Sequence, residues 1–264
     1  MTPPPVAAPV ASTAWFPFAE PPAYTGTRLY CLPHAGGSAS VFRSWFGHLG
    51  EVSVRPVQLP GRETRLREPA YRSMDELVRD LTDALLADTE TPDGHRPFAV
   101  YGHSLGAQEG FEVVRELRRR GGPMPLHLFV SGCPAPGEDP NAHEPPVGSM
   151  SDEQVVALLR RIGGTPEWML RDPSALRMIL PPFRGDFAVR ESHEHRPEPP
   201  LSVPITVLAA DRDPRAGVRD MAGWARETTG PFRSRVLSGG HFAVLEQAAV
   251  TRGWLAEGLL EAVV

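Results

Sequence analysis

The sequence predicts an α/β fold, a mostly parallel sheet with helices on both faces. Short apolar runs that suit buried strands alternate along the chain with segments in which apolar residues recur at helical spacing. The loops that carry candidate catalytic side chains directly follow apolar runs, as loops do at the carboxyl edge of a parallel sheet. With 264 residues, the chain is long enough for one such domain and an inserted segment.

Composition and charge exclude several classes of protein. The net charge is -5, which gives no electrostatic footprint for nucleic acid, and no segment approaches the roughly 20 apolar residues of a membrane span. The two cysteines, Cys31 and Cys133, belong to no metal-ligand spacing, so we expect no metal site. The N-terminus lacks the basic and apolar regions of a secretory signal. We therefore expect a cytoplasmic monomer that binds neither nucleic acid nor membrane.

The strands can be placed in order along the chain. We interpret residues 1–26, rich in proline and alanine, as a disordered leader. Its end is expected to be held on the domain surface by Trp15, Phe16 and Phe18. Residues 27–264 then form the α/β domain. Its strands are predicted at residues 28–32, 52–59, 98–102, 126–131, 203–209 and 233–237.

Periodicity and capping signals predict the helices. Apolar residues recur at helical spacing from Val41 to Leu49, and Ser73-Met-Asp-Glu76 is a capping-box pattern that starts the next helix. Ser151-Asp-Glu-Gln154 is a second such pattern. A further helical stretch with Leu176, Met178, Ile179 and Leu180 leads to Pro181-Pro182-Phe183.

Three arginines, Arg118 to Arg120, precede Gly121 at the end of the predicted helix after residue 104. Cations oppose the negative end of the helix dipole and glycine supplies the left-handed cap, so we interpret them as part of the helix terminus. A docking patch for an acidic partner is the alternative that the sequence leaves open.

The segment between Gly132 and Val203 is too long for a loop in a compact domain. Its helical signals predict an inserted helical lid at about residues 134–200. Four apolar side chains are candidates to cover an apolar channel, namely Trp168, Met169, Met178 and Phe183. The alternative is that these helices merely pack on the sheet.

The stretch from Phe98 to Ala107, FAVYGHSLGA, places Ser104 between Gly102 and Gly106. An apolar strand runs into a sharp turn, and a helix follows without a linker. Such a turn lifts the serine out of the sheet, and the helix N-terminus favours a developing negative charge. Ser104 is therefore a candidate nucleophile, and a plain glycine-flanked turn is the alternative.

Ser104, Asp213 and His241 each follow a predicted strand and occur in the chain order Ser, Asp, His of α/β-hydrolases. A hydroxyl is a poor nucleophile until an imidazole takes its proton, and the carboxylate orients the imidazole and stabilises its charged form. Asp211 is an alternative to Asp213, which we favour because it lies further past the strand. His34 and His103 also lie in reactive loops, and we interpret His103 as structural.

Several motifs together are more specific than the serine turn alone. They are LPHAGGSAS at 32–40, QLPGRE at 58–63, YGHSLGA at 101–107, LFVSGCPAP at 128–136, the D-x-D-P turn at 211–214 and GGHF at 239–242. From about Arg28 to the C-terminus, the sequence thereby resembles the stand-alone type II thioesterases that accompany polyketide synthases and nonribosomal peptide synthetases. The resemblance implies the α/β-hydrolase fold.

The resemblance also implies a function and a set of site residues. A type II thioesterase frees acyl groups from the phosphopantetheine arm of an acyl or peptidyl carrier protein, and it needs no cofactor of its own. Ser104, Asp213 and His241 match the family's triad, and the backbone N–H groups of Ala35 and Leu105 match its oxyanion hole. Leu105 replaces a residue that is often Met, which leaves the backbone donor unchanged.

Other functions remain open on the sequence. One is a general carboxylesterase or lipase of the same fold, and another is a catalytically silent binding module. For the carrier partner, an acidic helix is expected to meet an arginine-bearing surface near the lid, for which Arg62, Arg65 and Arg67 are candidates.

Overall fold

A six-stranded sheet forms the centre of the molecule. The computed structural model describes residues 14–18, 26–47, 49–138 and 144–261. The sheet strands are β1 (Arg28–Leu32), β2 (Ser53–Pro56), β5 (Phe98–His103), β6 (Leu128–Ser131), β7 (Ile205–Ala210) and β8 (Phe232–Leu237). Between them, β3 (Glu90–Thr91) and β4 (Gly94–His95) form a separate antiparallel ribbon. All neighbours in the main sheet pair in parallel, which confirms the predicted fold class.

The strand order is β2-β1-β5-β6-β7-β8, and it creates one reversal of direction. From β1 the chain moves outward to β2, and it then returns to the other side of β1 to form β5. The loops after β1 and β5 therefore diverge at the carboxyl edge of the sheet. Parallel sheets bind their ligands at such a crevice.

Helices cover both faces of the sheet, as the sequence predicts. They are α1 (Met74–Thr89), α2 (Leu105–Arg119), α3 (Asp152–Ile162), α4 (Glu167–Arg171), α5 (Pro173–Glu191), α6 (Val218–Met221), α7 (Ala243–Glu246) and α8 (Ala248–Glu261). Alternate residues of β1 enter opposite layers of the core because strand side chains alternate in direction. Tyr30 packs in the layer of α1 and α2, whereas Leu29 and Cys31 pack in the layer of α8.

Two predicted helices differ from the observed ones. The segment predicted as a helix from Val41 to Leu49 is a 3-10 helix at Ala39–Trp45, after which Gly47 adopts a positive φ of 69°. Helix α5 is longer than the predicted helical stretch, because it runs from Pro173 to Glu191 through both Pro181 and Pro182. Leu180 and Phe183, on either side of the two prolines, are buried in the apolar cluster of the insertion, and this tertiary packing outweighs the cost of proline inside a helix.

The capping signals are confirmed where they start α1 and α3. Ser73 Oγ accepts a hydrogen bond from Glu76 N at 3.4 Å. Ser151 Oγ accepts from Gln154 N at 3.3 Å, and Gln154 Oε1 accepts in return from Ser151 N at 2.7 Å. These side chains satisfy backbone donors that a helix start leaves without partners.

The segment between β6 and β7 carries α3, α4 and α5 and buries its own apolar cluster. This cluster includes Val155, Leu159 and Leu170, and it meets the sheet domain at Ala35. Among the described residues, no helix is long and apolar enough to cross a membrane.

Part of the predicted leader lies against the domain. Trp15 and Phe16 are buried in the main core, and the Trp15 carbonyl accepts a hydrogen bond from Gln58 N at 2.8 Å. The Phe16 ring packs 5.0 Å from that of Tyr30. Residues 1–13 and 19–25 of the predicted leader lie outside the described residues.

The arginines that end α2 are engaged in ion pairs. Arg118 and Arg119 contact Glu198 at 2.6 and 2.8 Å, and Arg119 also contacts Glu116 at 2.8 Å. Arg120 contacts Glu116 at 2.7 Å. These contacts join the end of α2 to the chain before β7, which favours the structural interpretation of this arginine cluster.

The turn between β5 and α2 brings three backbone segments into direct contact. A Cβ at Gly106 would overlap the carbonyl of Leu32, at the end of β1, and a Cβ at Gly102 would overlap the carbonyl of Gly106. Only glycine allows the helix to begin so close to two strands.

We therefore expect Gly106→Ala to lower the free energy of unfolding by about 3 kcal/mol or more, because backbone atoms of β1 would have to move. Gly253 in α8 is a matched control, since no atom lies within 4 Å of the Cβ that Ala would add. Gly253→Ala should raise stability by about 0.5–1 kcal/mol. Urea denaturation of both variants measures the difference, and equal midpoints would contradict the close packing of α2.

Candidate active site

A cavity lies at the crevice between the carboxyl ends of β1 and β5. Its empty volume is about 1090 Å³, including the part that opens to solvent. The sheet side contributes His34, Ala35, Ser104, Leu105 and His241, and the inserted helices contribute its opposite wall. The wall on that side is mostly apolar, and its side chains include Leu159, Ile162, Met169, Ile179, Phe183 and Phe187.

Ser104 occupies the strained position at the apex of the turn. Its φ of 57° and ψ of -122° lie in a region that non-glycine residues rarely adopt. The backbone is fixed there because Ser104 N donates to Ser131 O at 2.8 Å. Leu105 is the first residue of α2, so its N–H has no acceptor within the helix. The turn thus presents a hydroxyl and a backbone donor at the cavity wall.

His241 and Asp213 form a buried hydrogen-bonded pair. His241 Nδ1–H donates to the Asp213 carboxylate, at 2.8 Å to Oδ2 and 3.0 Å to Oδ1. Asp213 Oδ1 also accepts from Arg215 N at 2.8 Å and from Ala216 N at 3.2 Å. The carboxylate is therefore fixed by backbone donors, and the imidazole keeps Nε2 available for proton transfer.

The alternative carboxylate, Asp211, lies elsewhere. It contacts Arg212 at 3.6 Å and accepts a hydrogen bond from Gly239 N at 2.8 Å. It thereby braces the loop that leads to His241 and does not touch the imidazole. The geometry thus favours Asp213 over Asp211 as the partner of the histidine.

The structure brings Ser104 and the His241–Asp213 pair to one cavity. Among the described residues, no hydrogen bond joins the Ser104 hydroxyl to His241. In enzymes without substrate, catalytic hydrogen bonds are often long and become shorter when substrate binds. The arrangement is therefore compatible with nucleophilic acyl transfer to a carbonyl group that lies against Ser104.

The two other histidines of the reactive loops, His34 and His103, lie near His241 and are uncharged. The rings of His103 and His241 lie 4.9 Å apart, and the His34 ring lies 5.9 Å from that of His103. Burial, with the nearby His241, lowers the pKa of His34 to about 3 and brings the pKa of His103 well below its usual range. Both are neutral at pH 7, so neither adds a positive charge that would oppose an imidazolium at His241.

The loop of residues 33–38, which we call the oxyanion loop after the role predicted for Ala35, forms the second side of the site. Ala35 and Gly36 line the cavity beside Ser104. The Phe183 side chain lies 3.3 Å from where a Cβ of Gly36 would be, and Gly36 has a φ of 76°. The loop is therefore packed between the sheet and helix α5.

Two of the three arginines expected at a docking surface are buried. Arg62 pairs with Asp186, with nitrogen to oxygen distances of 2.5 and 2.6 Å. Arg65 pairs with Glu68 at 2.6 Å, and its guanidinium lies 4.6 Å from the centre of the Trp15 ring. Arg62 and Arg65 are therefore paired with carboxylates of the same chain, and only Arg67 of the three is exposed. The prediction that Arg62 and Arg65 face a partner is therefore corrected.

The four apolar side chains predicted for the lid separate into two pairs. Met169 and Phe183 line the cavity. Trp168 and Met178 are 67% and 62% exposed and lie outside its lining. Phe187, which is not among the predicted lid residues, also lines the cavity; it lies one helical turn beyond Phe183, a spacing that indicates the same face of the helix. Gln108, Ile162 and Ile179 also line the cavity, and their positions depend on tertiary packing.

Among the residues that the structure describes, no group of three or more His, Cys, Asp or Glu side chains could hold a metal ion.

Comparisons with known proteins give a consistent family. Residues 27–254 match the model of the family described as Thioesterase domain. The thioesterase PikA5 of Streptomyces venezuelae is 41% identical over 239 residues, which cover 90% of this chain and 83% of that protein. The gramicidin S biosynthesis protein GrsT of Aneurinibacillus migulanus is 34% identical over 88% of each chain.

Solved structures agree with the sequence comparisons. The thioesterase RedJ from the prodiginine biosynthetic pathway in Streptomyces coelicolor superimposes with a TM-score of 0.80 at 37% identity, over 94% of this chain and 99% of that chain. The type II thioesterase BorB from the borrelidin biosynthetic cluster gives a TM-score of 0.79 at 37% identity, over 91% and 95% of the two chains. The similarity thus covers nearly the whole domain.

One buried carboxyl group near the site has no partner. Glu109 on α2 is 1% exposed, and neither of its side-chain oxygens makes a hydrogen bond to a described residue. Burial and the nearby charge of Asp186 raise the pKa of Glu109 to about 8, although Arg62 opposes the shift. Glu109 is therefore protonated at pH 7 in the folded protein.

This proton makes stability depend on pH with a defined sign. Between about pH 4.5 and 8 the folded state keeps the proton on Glu109 and the unfolded state has lost it, so the contribution of Glu109 to stability falls by about 1.4 kcal/mol per pH unit as pH rises. Glu109→Gln cannot ionise and should lack this decline when urea unfolding is measured at pH 5.5, 6.5 and 7.5. Glu116→Gln, on the same helix, is the control. Desolvation raises the pKa of the Glu116 carboxyl, but hydrogen bonds from Arg120 and Arg119 outweigh it, so the pKa lies below its usual value. The stability of Glu116→Gln should therefore differ from that of wild type by the same amount at all three pH values. Parallel curves for wild type and Glu109→Gln would contradict the raised pKa.

Proposed function

This chain belongs to the thioesterase family and is a type II thioesterase of the α/β-hydrolase fold. From this premise we infer that it releases acyl groups from carrier proteins. The bond it hydrolyses would be the thioester that joins an acyl chain to the phosphopantetheine arm of an acyl or peptidyl carrier protein. The setting is polyketide or nonribosomal peptide biosynthesis, where the chains would be stalled, wrongly primed or ready for release.

One observation carries the assignment of roles. The strained Ser104, His241 and the N–H-bearing residues Ala35 and Leu105 line a single cavity with an apolar far wall, and the buried Asp213 is hydrogen-bonded to His241 behind that lining. A nucleophile, a base with its orienting carboxylate and two candidate oxyanion donors are what acyl transfer requires. An apolar wall suits an acyl chain.

In the first half of the proposed reaction, Ser104 Oγ attacks the thioester carbonyl carbon while His241 Nε2 takes the hydroxyl proton. The carbonyl oxygen becomes an oxyanion that accepts hydrogen bonds from the N–H groups of Ala35 and Leu105. When the carbon–sulfur bond breaks, the proton on His241 passes to the leaving sulfur. The products are an acyl-enzyme and the free thiol of the carrier arm.

In the second half, water attacks the acyl-enzyme with His241 as base. The carbon–oxygen bond to Ser104 then breaks, and the proton returns to the serine oxygen. The product is a free carboxylic acid. Asp213 keeps the His241 ring oriented in both halves and stabilises its positive charge. The proposed reaction needs no cofactor, because the phosphopantetheine is part of the partner carrier protein.

The inserted helices are proposed to act as the lid of this site. Ile162, Met169, Ile179, Phe183 and Phe187 contribute apolar side chains opposite the serine. A chain bound there would be removed from water along its length, which favours apolar acyl groups by about 0.8 kcal/mol per buried CH₂. The carrier protein itself would remain outside and contribute only its arm.

The serine assignment predicts that Ser104→Ala lowers kcat for an acyl group on a carrier protein by at least about 10⁴-fold. Binding should change little, because the side chain is small and the cavity remains. Release of free thiol, followed with a chromogenic disulfide, measures the rate. An oxygen ester of the same acyl group should be assayed in parallel, since a preference for the ester would indicate a general carboxylesterase. Near wild-type thioester turnover by Ser104→Ala would disprove the assignment.

The carboxylate assignment can be tested on two neighbouring aspartates. Asp213→Asn should lower kcat by about 10³–10⁴-fold. An amide neither favours the His241 tautomer with the proton on Nδ1 nor stabilises the positively charged imidazolium as a carboxylate does. Asp211→Asn is the matched control and should remain within about threefold of wild type, because Asp211 lies away from the imidazole. Steady-state kinetics on one acyl thioester gives both values. A larger loss for Asp211→Asn than for Asp213→Asn would exchange their roles.

A further inference from the structure

The oxyanion loop, residues 33–38, needs support from outside because its sequence provides little stiffness. Gly36 and Gly37 are adjacent, and glycine loses more conformational freedom on ordering than any other residue. Gly36 adopts a φ of 76°, which the unfolded chain visits as readily as other conformations. Any fixed direction of the N–H groups in this loop must therefore come from contacts with neighbouring elements.

The Arg62–Asp186 pair supplies two of these contacts. Asp186 Oδ2 accepts the N–H of Gly36 at 2.6 Å, and Arg62 Nη1 donates to the carbonyl of Gly37 at 3.0 Å. Arg62 Nη1 and Nη2 donate to the two oxygens of Asp186 at 2.5 and 2.6 Å. Arg62 Nε donates to Pro60 O at 3.2 Å, which fixes the guanidinium relative to its own loop.

A third contact completes the fixing of the loop. The carbonyl of His34 accepts a hydrogen bond from Gly37 N at 2.8 Å. The peptide between His34 and Ala35 is trans, so its N–H points away from its carbonyl. With the carbonyl turned toward Gly37, the Ala35 N–H is turned the opposite way. The direction of this donor thus depends on where Gly36 and Gly37 are fixed.

We propose that Arg62 and Asp186 are positioning residues for the oxyanion hole, which fix the oxyanion loop so that the Ala35 N–H faces the reacting carbonyl. This inference rests on the proposed function, because it assigns the pair to the same reaction. Neither side chain lines the cavity, so neither touches the substrate. Their contribution reaches the transition state through the backbone of the oxyanion loop.

The burial of the pair supports a role beyond stability. Arg62 is 5% exposed and Asp186 2% exposed, and removing two charges from water costs much of the energy that their attraction returns. An apolar pair of similar size could fill the same space. An apolar pair, however, could neither accept the Gly36 N–H, as the carboxylate does, nor donate to the Gly37 carbonyl, as the guanidinium does.

The pair also connects the hole to the inserted helices. Asp186 lies on α5, one turn after Phe183, whose side chain packs on Gly36. Arg62 lies in the loop after β2, so the contact joins segments 124 residues apart. These contacts therefore hold the oxyanion loop in place only while α5 lies against the domain. Movement of α5 away from the sheet would remove the acceptor from Gly36 N–H and the packing from Gly36 together.

The test compares Asp186→Asn and Arg62→Lys with wild type. Asp186→Asn replaces a carboxylate between Arg62 and Gly36 by an amide, and Arg62→Lys keeps the charge but loses the fork. We expect kcat for an acyl thioester to fall by about 100-fold and 10-fold respectively, comparable to the loss or misplacement of one oxyanion donor, with KM within about threefold. Affinity for a trifluoromethyl ketone, which forms an oxyanion on Ser104, should weaken by the same factors.

Glu68→Gln is the matched control, because it breaks the Arg65–Glu68 pair in the same loop without touching the oxyanion loop. Its kcat and ketone affinity should stay within about twofold of wild type. Thermal unfolding identifies any variant that fails to fold. If Asp186→Asn does not fold, the kinetics and ketone affinity of Arg62→Lys test the proposal. Unchanged kcat and ketone affinity in folded variants would overturn the proposal. A wild-type protein without thioester turnover would contradict the proposed function alone, since the ketone affinities still report on the hole.

Discussion

Helix α2 begins so close to the end of β1 that no methyl group fits between them, and the active site depends on this contact. A Cβ on Gly106 would overlap the Leu32 carbonyl, and the turn before it holds Ser104 at a φ of 57°. Such backbone strain costs on the order of 1–3 kcal/mol and persists only where the surroundings impose it. Here all six residues of β5 are buried, and the serine nitrogen is bound to β6. The rigid sheet therefore carries the strain that presents the hydroxyl.

The same burial determines which charges the site contains. Desolvation keeps His34 and His103 neutral and keeps a proton on Glu109, so these groups add no net charge at pH 7. The charges that remain nearby are paired or hydrogen-bonded, as at Arg62 and Asp186 and at Asp213 beside His241. A site whose nearby charges are paired and whose walls are partly apolar strengthens each hydrogen bond to a developing oxyanion.

The strand and turn signals of the sequence predicted the architecture well because they are local. Short apolar runs, the glycines around Ser104 and the serine caps of α1 and α3 each act within a few residues. Where packing between distant segments decides, the sequence was less informative. Helix α5 continues through two prolines, and Trp15 and Phe16 enter the core from a segment interpreted as a leader.

For the site, the sequence by itself determined the chemical types and their order: a serine at a strained turn, then an aspartate and a histidine after later strands. These follow from local motifs, together with the family that they resemble. Only the tertiary structure decided that Asp213 and not Asp211 contacts His241, and that Met169 but not Trp168 lines the cavity. It also turned Arg62 inward to Asp186. These side-chain partners lie 28 and 124 residues apart in the sequence. The packing of whole helices and strands brings them together, and a local sequence pattern cannot indicate such a contact.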